Sequence, residues 1–246
     1  MSGAAPPRLL PLGDAAWTVE FGEGIAPEVH ARVMALADAV AAMAEPAVSD
    51  LVPTFRSLTV HFDPLRADGA ALGRRLLAAA TAPPAGTGTA GGRRWRLPAC
   101  FGGAHGPDLA AVATEVGITE AAAVALLAEA ELRVYMIGFM PGFPYMGGLP
   151  EPLHRPRLAT PRLQVPARSV AVAGAMAAVY PWESPGGWRL VGRTPLALFD
   201  ASRGEQPALL APGDRVHFLP IEDAEYRRLE AESAAGRLDP AQWRIA

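Results

Sequence analysis

The chain contains no lysine and no asparagine, and all 22 of its basic residues are arginine. The missing lysine excludes a Walker-A phosphate lysine, a Schiff base and a kinase-type strand lysine within this chain. A G+C-rich coding bias, which favours Ala, Arg, Gly and Pro, explains both gaps and leaves that chemical consequence intact. A single cysteine, Cys100, excludes an internal disulfide and a cysteine zinc cluster, and fits a cytoplasmic location. No window approaches the roughly 18 apolar residues of a membrane span. The N-terminal MSGAAPPRLLPLGDAAW lacks a charged segment followed by an apolar one, so no secretory signal is expected. The net charge of −3 provides neither a basic footprint for nucleic acid nor a single-sign field for a membrane surface. Neither a Gly-x-Ser-x-Gly elbow nor a His-Glu-x-x-His motif occurs. No metal-ligand set is expected.

What is present begins with ample apolar material. The 246 residues, 50% of them apolar, suit one large domain or two modest ones. Over 1–80 the patterns alternate. Ala16 to Phe21 and Ser57 to Phe62 alternate like half-buried strands. Residues 27–44 open with Pro27 and place Val29, Val33, Leu36 and Val40 at helical spacing, and 68–80 form a helix capped by Asp68. This predicts a small α/β layer domain. Residues 81–94, TAPPAGTGTAGGRR, are rich in Gly, Thr and Pro and read as a linker. Their glycines match neither the Rossmann nor the Walker spacing.

Residues 95–246 are expected to form a second domain. Two helices fall near 107–131, the first stopped by Gly117 and the second capped by Thr119. After residue 132 Pro and Gly recur every few positions. Ser169–Ala173, Ala177–Tyr180, Trp188–Val191, Leu196–Phe199 and Arg215–Leu219 read as short strands of a barrel or sandwich. A helix over 222–234, with Tyr226 and Leu229 on one side, closes the chain.

Four segments carry candidate chemistry. GFMPGFPYMGGLP, 138–150, is too rich in Gly and Pro for a regular element. It is either a rigid loop packing its own Phe143 and Tyr145, or a preorganised pocket wall whose N–H groups, at Gly142 and Gly147, face a ligand. RPRLATPRLQVPARSV, 155–170, holds Arg155, Arg157, Arg162 and Arg168 between prolines; it is either a solvated basic loop or a set of positioned forks for carboxylate or phosphate. In YPWESPGGWRLVGRTPLALFD, 180–200, Glu183 and Ser184 precede a turn, and Arg193 and Thr194 follow one strand later. They converge at a barrel end or close a hairpin with an ion pair. FGGAHGPDL, 101–109, places His105 and Asp108 on a Gly-rich loop before a helix. Either can transfer protons, while helix capping is the plainer role for Asp108.

Taken in order, these segments resemble the KipI and allophanate hydrolase small-subunit family, whose members include the B subunit of bacterial 5-oxoprolinase. GFMPGFPYMGGLP, ATPR, ESPGGWRLVGRTPLALFD and GGAHGPDL carry the likeness, supported by GDAAWTVEFG and VPTFRSLTVHFDP. The resemblance implies an α+β chain: a ferredoxin-like N-terminal domain, then a cyclophilin-like β-barrel. It implies a larger homologous barrel subunit as partner, a separate third subunit, and opening of 5-oxo-L-proline to L-glutamate with ATP hydrolysis. ATP, with or without Mg2+, is expected on this chain or shared with the partner. Two other readings follow from relatives: a regulatory protein inhibiting a sensor histidine kinase, and a carboxyltransferase-like module whose biotin another chain would carry.

Two positions depart from the family pattern. Relatives commonly carry Asn, Gln or Thr where this chain has Ala175, Met176 and Ala177, which bears on specificity. Arg168 stands where glycine is usual. Activating a lactam carbonyl by phosphorylation calls for groups that hold phosphate and carboxylate. Arg162, Arg168 and Arg193 and the loop N–H groups are the candidates, with Glu183 or His105 as base. Phe143, Tyr145, Ser184 and Thr194 complete the expected binding set.

Overall fold

The computed structural model of the chain describes residues 6–82 and 92–245. It divides into two compact units, Met1–Gly91 and Gly92–Ala246. Most of the expected linker, 83–91, lies outside the described residues. Its edges do not: Thr81 ends a helix and Arg94 opens a strand.

The first unit runs β1 (Arg8–Pro11), β2 (Ala16–Glu20), α1 (Pro27–Ala42), β3 (Val48–Pro53), β4 (Ser57–Phe62) and α2 (Gly69–Thr81). The strands form an antiparallel sheet in the order β1-β2-β4-β3. The period-2 residues Val19, Leu58, Val60 and Phe62 meet the period-3.6 residues Val33, Leu36 and Val40 of α1 and Leu72 and Leu76 of α2 in one core. Each such side chain, once buried, contributes about 1.5–3 kcal/mol before chain entropy is charged against it. Pro27 starts α1 as its spacing predicts. Asp68 caps α2 by accepting from the N–H groups of Ala70 at 2.9 Å and Ala71 at 3.1 Å. Indole Nε1 of Trp17 donates to the Gly69 carbonyl at 2.7 Å, fastening α2 to β2.

The second unit contains β5 (Arg94–Phe101), α3 (Leu109–Val116), α4 (Glu120–Glu129), β6 (Leu132–Ile137), β7 (Pro144–Gly147), β8 (Arg162–Val165), β9 (Ser169–Ala173), β10 (Met176–Val179), β11 (Ser184–Gly186), β12 (Arg189–Arg193), β13 (Arg215–Pro220), α5 (Asp223–Ala234) and β14 (Arg244–Ile245). Neighbours run β12-β9-β10-β7-β6-β13-β5, and a further β12–β5 pairing closes these seven strands into a barrel. Among the described residues only β5 and β13 pair in parallel. Alternate residues of the barrel strands point inward, among them Leu97, Val134, Met146, Val172, Val179, Val191 and Phe218, and share a core with Leu109, Val112 and Leu127 of α3 and α4. Among the described residues no single helix is long and apolar enough to cross a membrane.

One buried carboxylate joins the start of the barrel to a later turn. Asp214 accepts from the Arg93 N–H at 2.8 Å, Trp95 Nε1 at 3.0 Å and the Ala211 N–H at 3.0 Å, and pairs with the Arg93 guanidinium at 2.8 Å.

Two local expectations are corrected. Leu196–Phe199 is not a strand. Leu196 and Leu198 are buried in the core as their alternation implies, but Thr194 Oγ1 takes the Leu196 N–H and only an isolated bridge links Phe199 to Ala208. The segment 138–150 does contain a regular element, because Pro144–Gly147 is β7, between β6 and β10. Its proline at the strand's first residue needs no donor there.

Candidate functional site

The loop 102–108 is held by its backbone. Gly102 N–H donates to Val191 O at 3.1 Å, and Asp108 N–H donates to Leu190 O at 2.9 Å. Gly106 crosses β12 so closely that a Cβ there would lie 2.0 Å from Val191 O. Only glycine allows that approach. Asp108 does not cap α3. Its Oδ2 accepts from the Leu190 N–H at 2.6 Å and its Oδ1 from Arg162 Nη2 at 2.6 Å. The buried strand amide and the guanidinium need this carboxylate more than the exposed helix start does.

The loop presents His105 to α5. Because β13 is parallel to β5, α5 starts where both strands end, and Ile221 N–H donates to Ala99 O at 3.0 Å. Asp223, Tyr226 and Glu230 lie three and four residues apart on one helix face. His105 Nε2 lies 2.9 Å from Asp223 Oδ1, and its ring rests on Tyr226 with centroids 4.3 Å apart. The Tyr226 hydroxyl donates to Glu230 Oε1 at 2.9 Å. Burial, reinforced by that carboxylate against the opposing pull of Arg193, pushes the Tyr226 phenol up to about 12. Burial also raises the Cys100 thiol, and Asp223 and Glu222 raise it further. The Asp223 carboxyl is held below its ordinary range by His105 first and Arg227 second.

Arg168 and Arg193 complete this cluster. Arg193 pairs with Cys100 across β12–β5 and with Ser169 across β12–β9. Its Nε donates to Ala167 O at 2.9 Å, and Arg168 Nη1 donates to Pro195 O at 2.9 Å. Both guanidiniums face Glu230, at 3.7 Å from Arg168 and 4.0 Å from Arg193. Thr194 is fully buried, and its N–H donates to Arg168 O at 3.0 Å. Arg168 has φ +68°, the left-handed region that favours glycine.

A second group lies on the outer barrel face. Ala171, Ala173, Ala178 and Leu190 alternate with the inward residues and pack under Phe143, Tyr180, Trp188 and Val165. The β8–β11 pair supplies Val165 to this cover. Phe143 is thus a core residue, with its ring 5.1 Å from Tyr180 and 4.9 Å from Tyr145. Burial raises the Tyr145 and Tyr180 phenols. Met176 packs against the same cluster, and Arg157 sits 5.8 Å above the Trp188 ring. Of Ala175, Met176 and Ala177, only Met176 reaches this face; Ala177 lies in the barrel core and Ala175 is exposed.

The remaining expected residues fall as follows. Gly142, at φ +79°, lets the 138–144 turn approach Phe199, where a Cβ would come within 2.8 Å. Gly147 makes room for the Tyr135 ring. Ser184 Oγ is buried on β11 without a hydrogen-bond partner among the described residues. Glu183 is exposed and does not meet Arg193, because Arg193 turns to Ala167 and Glu230. The structure thus gathers His105, Arg168, Arg193 and Thr194 at one end of the barrel. It leaves Phe143 and Tyr145 with the second group, Arg162 on Asp108 at the end of the His105 loop, and Glu183 with neither group. Asp223, Tyr226 and Glu230 were missed by sequence reasoning as site residues, although their shared helix face was visible in their spacing.

Comparison with known proteins agrees with this architecture. Residues 7–210 match the family described as "Carboxyltransferase domain, subdomain C and D". The B subunit of 5-oxoprolinase from Bacillus subtilis (strain 168) is 36% identical over 236 residues, covering 90% of this chain and 96% of that protein. The corresponding B subunit from Escherichia coli O157:H7 is 54% identical over 124 residues, covering 50% of this chain and 56% of that one. The crystal structure of TTHA0988 superposes with a TM-score of 0.74 at 38% identity, covering 84% of this chain and 40% of that chain. The chain therefore spans about half or less of some relatives it matches, and nearly all of another. With a matched segment that runs from β1 through β12, most of the chain, the chain belongs to the carboxyltransferase subdomain C and D family.

Proposed function

We propose that this chain is the B-type component of an ATP-dependent 5-oxoprolinase that opens 5-oxo-L-proline to L-glutamate together with a larger homologous barrel subunit and a separate third subunit. The observation that carries the reading is the end-to-end likeness to the Bacillus subtilis protein, 36% identical across 96% of its length. The finer fold assignments belong to the same proposal: a cyclophilin-like barrel, and a ferredoxin-like first unit in which β1 takes the edge position.

The chemistry sets what the assembly must do. Amide resonance makes the lactam carbon a poor electrophile. Transfer of the ATP γ-phosphoryl group to the lactam oxygen releases ADP and activates that carbon. Water adds as a base takes its proton, and expulsion of the ring nitrogen leaves an acyl phosphate. A second water releases phosphate and gives L-glutamate. On this chain His105 is the candidate base. Arg168 and Arg193 are the candidate cations, but each already serves a backbone carbonyl and Glu230, and Arg162 serves Asp108. That commitment favours a nucleotide held mainly by the partner, with this chain completing the lactam side.

The test is co-expression with the two partner subunits, followed by ADP release and L-glutamate formation with and without 5-oxo-L-proline. Lactam-dependent formation of both products is expected. A complex that assembles yet hydrolyses ATP indifferently to the lactam, or a chain that binds neither partner, rejects the reading. The carboxyltransferase alternative instead needs biotin on another chain, because this one has no lysine to carry it.

A further inference from the structure

We infer that Asp223 is the positioning residue of a His105–Asp223 dyad, holding the imidazole with its Nε2–H toward α5 and its Nδ1 lone pair toward the reacting water. The inference rests on the proposed role of His105 as base. It adds a residue, a tautomer and a direction.

Three independent constraints fix the ring. The loop that carries it is clamped to β12 through Gly102, Gly106 and Asp108. One side of the ring packs against Tyr226, tilted by 53° with centroids 4.3 Å apart. One ring nitrogen, Nε2, lies 2.9 Å from a carboxylate oxygen. A carboxylate only accepts, so a neutral imidazole must place its proton on Nε2, and Nδ1 carries the free pair. Among the described residues Nδ1 has no hydrogen-bond partner, and the side chain keeps 16% of its exposure. A nitrogen free to accept, opposite one locked to a carboxylate, is the arrangement a general base requires.

The surrounding charges support the role. Arg227 Nη2 pairs with Asp223 Oδ2 at 2.9 Å, so the carboxylate is held from behind while Oδ1 faces the ring. The groups around the imidazole are Asp223 and Tyr226 of α5, with Arg227 behind the former, Cys100 of β5 beside Asp223, and Arg193 of β12 beside Tyr226. An imidazolium formed during proton transfer meets the Asp223 charge directly. Tyr226 stays neutral at any working pH.

The experiment uses the reconstituted complex with Asp223→Asn, Asp223→Glu, His105→Ala and the His105→Ala/Asp223→Asn double variant. Asp223→Asn is expected to lower kcat about 100-fold, with KM within about twofold. Asp223→Glu should recover part of that loss, and the double variant should be no worse than His105→Ala. Full turnover in His105→Ala removes the base reading itself. Loss in His105→Ala with an unchanged kcat in Asp223→Asn overturns the dyad alone, and a lower melting temperature without a kcat change marks a mere tether. A measurement independent of assembly is the imidazole tautomer by nitrogen NMR of the 15N-histidine-labelled full chain. An Nε2–H signal at His105 is expected, and an Nδ1–H signal overturns the inference.

Discussion

Asp108 and Arg162, fifty-four positions apart, meet at 2.6 Å, and the other oxygen of the same carboxylate takes the Leu190 N–H at 2.6 Å. One side chain thereby ties the His105 loop, β12 and β8 together. Replacing it by alanine strands a buried amide and leaves a half-buried guanidinium without its anion. Asp108→Ala is expected to cost about 3 kcal/mol. Asp108→Asn keeps an acceptor for Leu190 and should cost about half as much. Urea unfolding of the isolated chain checks both; an Asp108→Asn chain as stable as the parent would show that the ionic part contributes nothing, and one no more stable than Asp108→Ala that the Leu190 bond contributes nothing.

Much of this was legible beforehand, for local reasons. Pro27, Asp68, Gly117 and Thr119 mark helix ends through their own backbone chemistry, and each occupies the expected position. The alternation in Ser57–Phe62 gave that strand because burial on a pleated sheet repeats every two residues, whereas Ser169–Ala173, a short apolar run between Pro and Gly turns, is a strand buried on both faces. What failed depended on distant partners. Asp108 has the sequence context of a cap, yet Leu190 and Arg162 claim it. Glu183 and Arg193 are close in sequence, but Arg193 faces Glu230, thirty-seven residues on, through the parallel β5–β13 geometry that brings α5 over the barrel end. A one-dimensional pattern carries no information about which strand closes on which. Arg168 adds a local case. Its backbone takes a positive φ, which an arginine does not announce.

That position permits a clean separation of backbone and side-chain effects. Arg168→Gly relieves the left-handed strain but loses the donor to Pro195 O, whereas Arg168→Ala loses the donor and keeps the strain. Glycine is expected to be more stable than alanine by about 1 kcal/mol. Thermal unfolding of the two variants measures that difference directly. An alanine variant as stable as glycine would mean that residue 168 relaxes to negative φ once the guanidinium is gone.

Gly106 allows no comparable relief. A Cβ at this position would sit 2.0 Å from Val191 O and 2.2 Å from its carbonyl carbon, both backbone atoms. Gly106→Ala must therefore push the loop off β12, breaking the Asp108–Leu190 bonds and moving His105 from Asp223. The expected loss is about 3 kcal/mol or more, with turnover in the complex falling in parallel. Gly103→Ala, at an exposed position with open space around its Cβ, is the control for strain without a clash. It should cost about 1 kcal/mol and leave turnover within about twofold.

Tyr226 ties the helix to the barrel end and gives the cluster a measurable alkaline signature. Its phenol is raised from 10 to about 12, first by burial and then by its hydrogen bond to Glu230, against the opposing pull of Arg193. In the unfolded chain the group ionises near its ordinary value of about 10. The unfolded state therefore loses its proton first as pH rises, which pulls the equilibrium toward unfolding. The stabilisation is complete below about pH 10 and is lost between there and about pH 12. Tyr226→Phe removes this ionisation and should make the alkaline loss shallower, leaving the share carried by the buried Tyr145 and Tyr180, while lowering stability near neutrality by about 1 kcal/mol through the lost bond to Glu230. Ultraviolet tyrosinate absorbance alongside urea unfolding at each pH checks both halves. A Tyr226→Phe chain with the parent's alkaline slope would place the titrating group elsewhere and leave the hydroxyl as a simple hydrogen-bond donor.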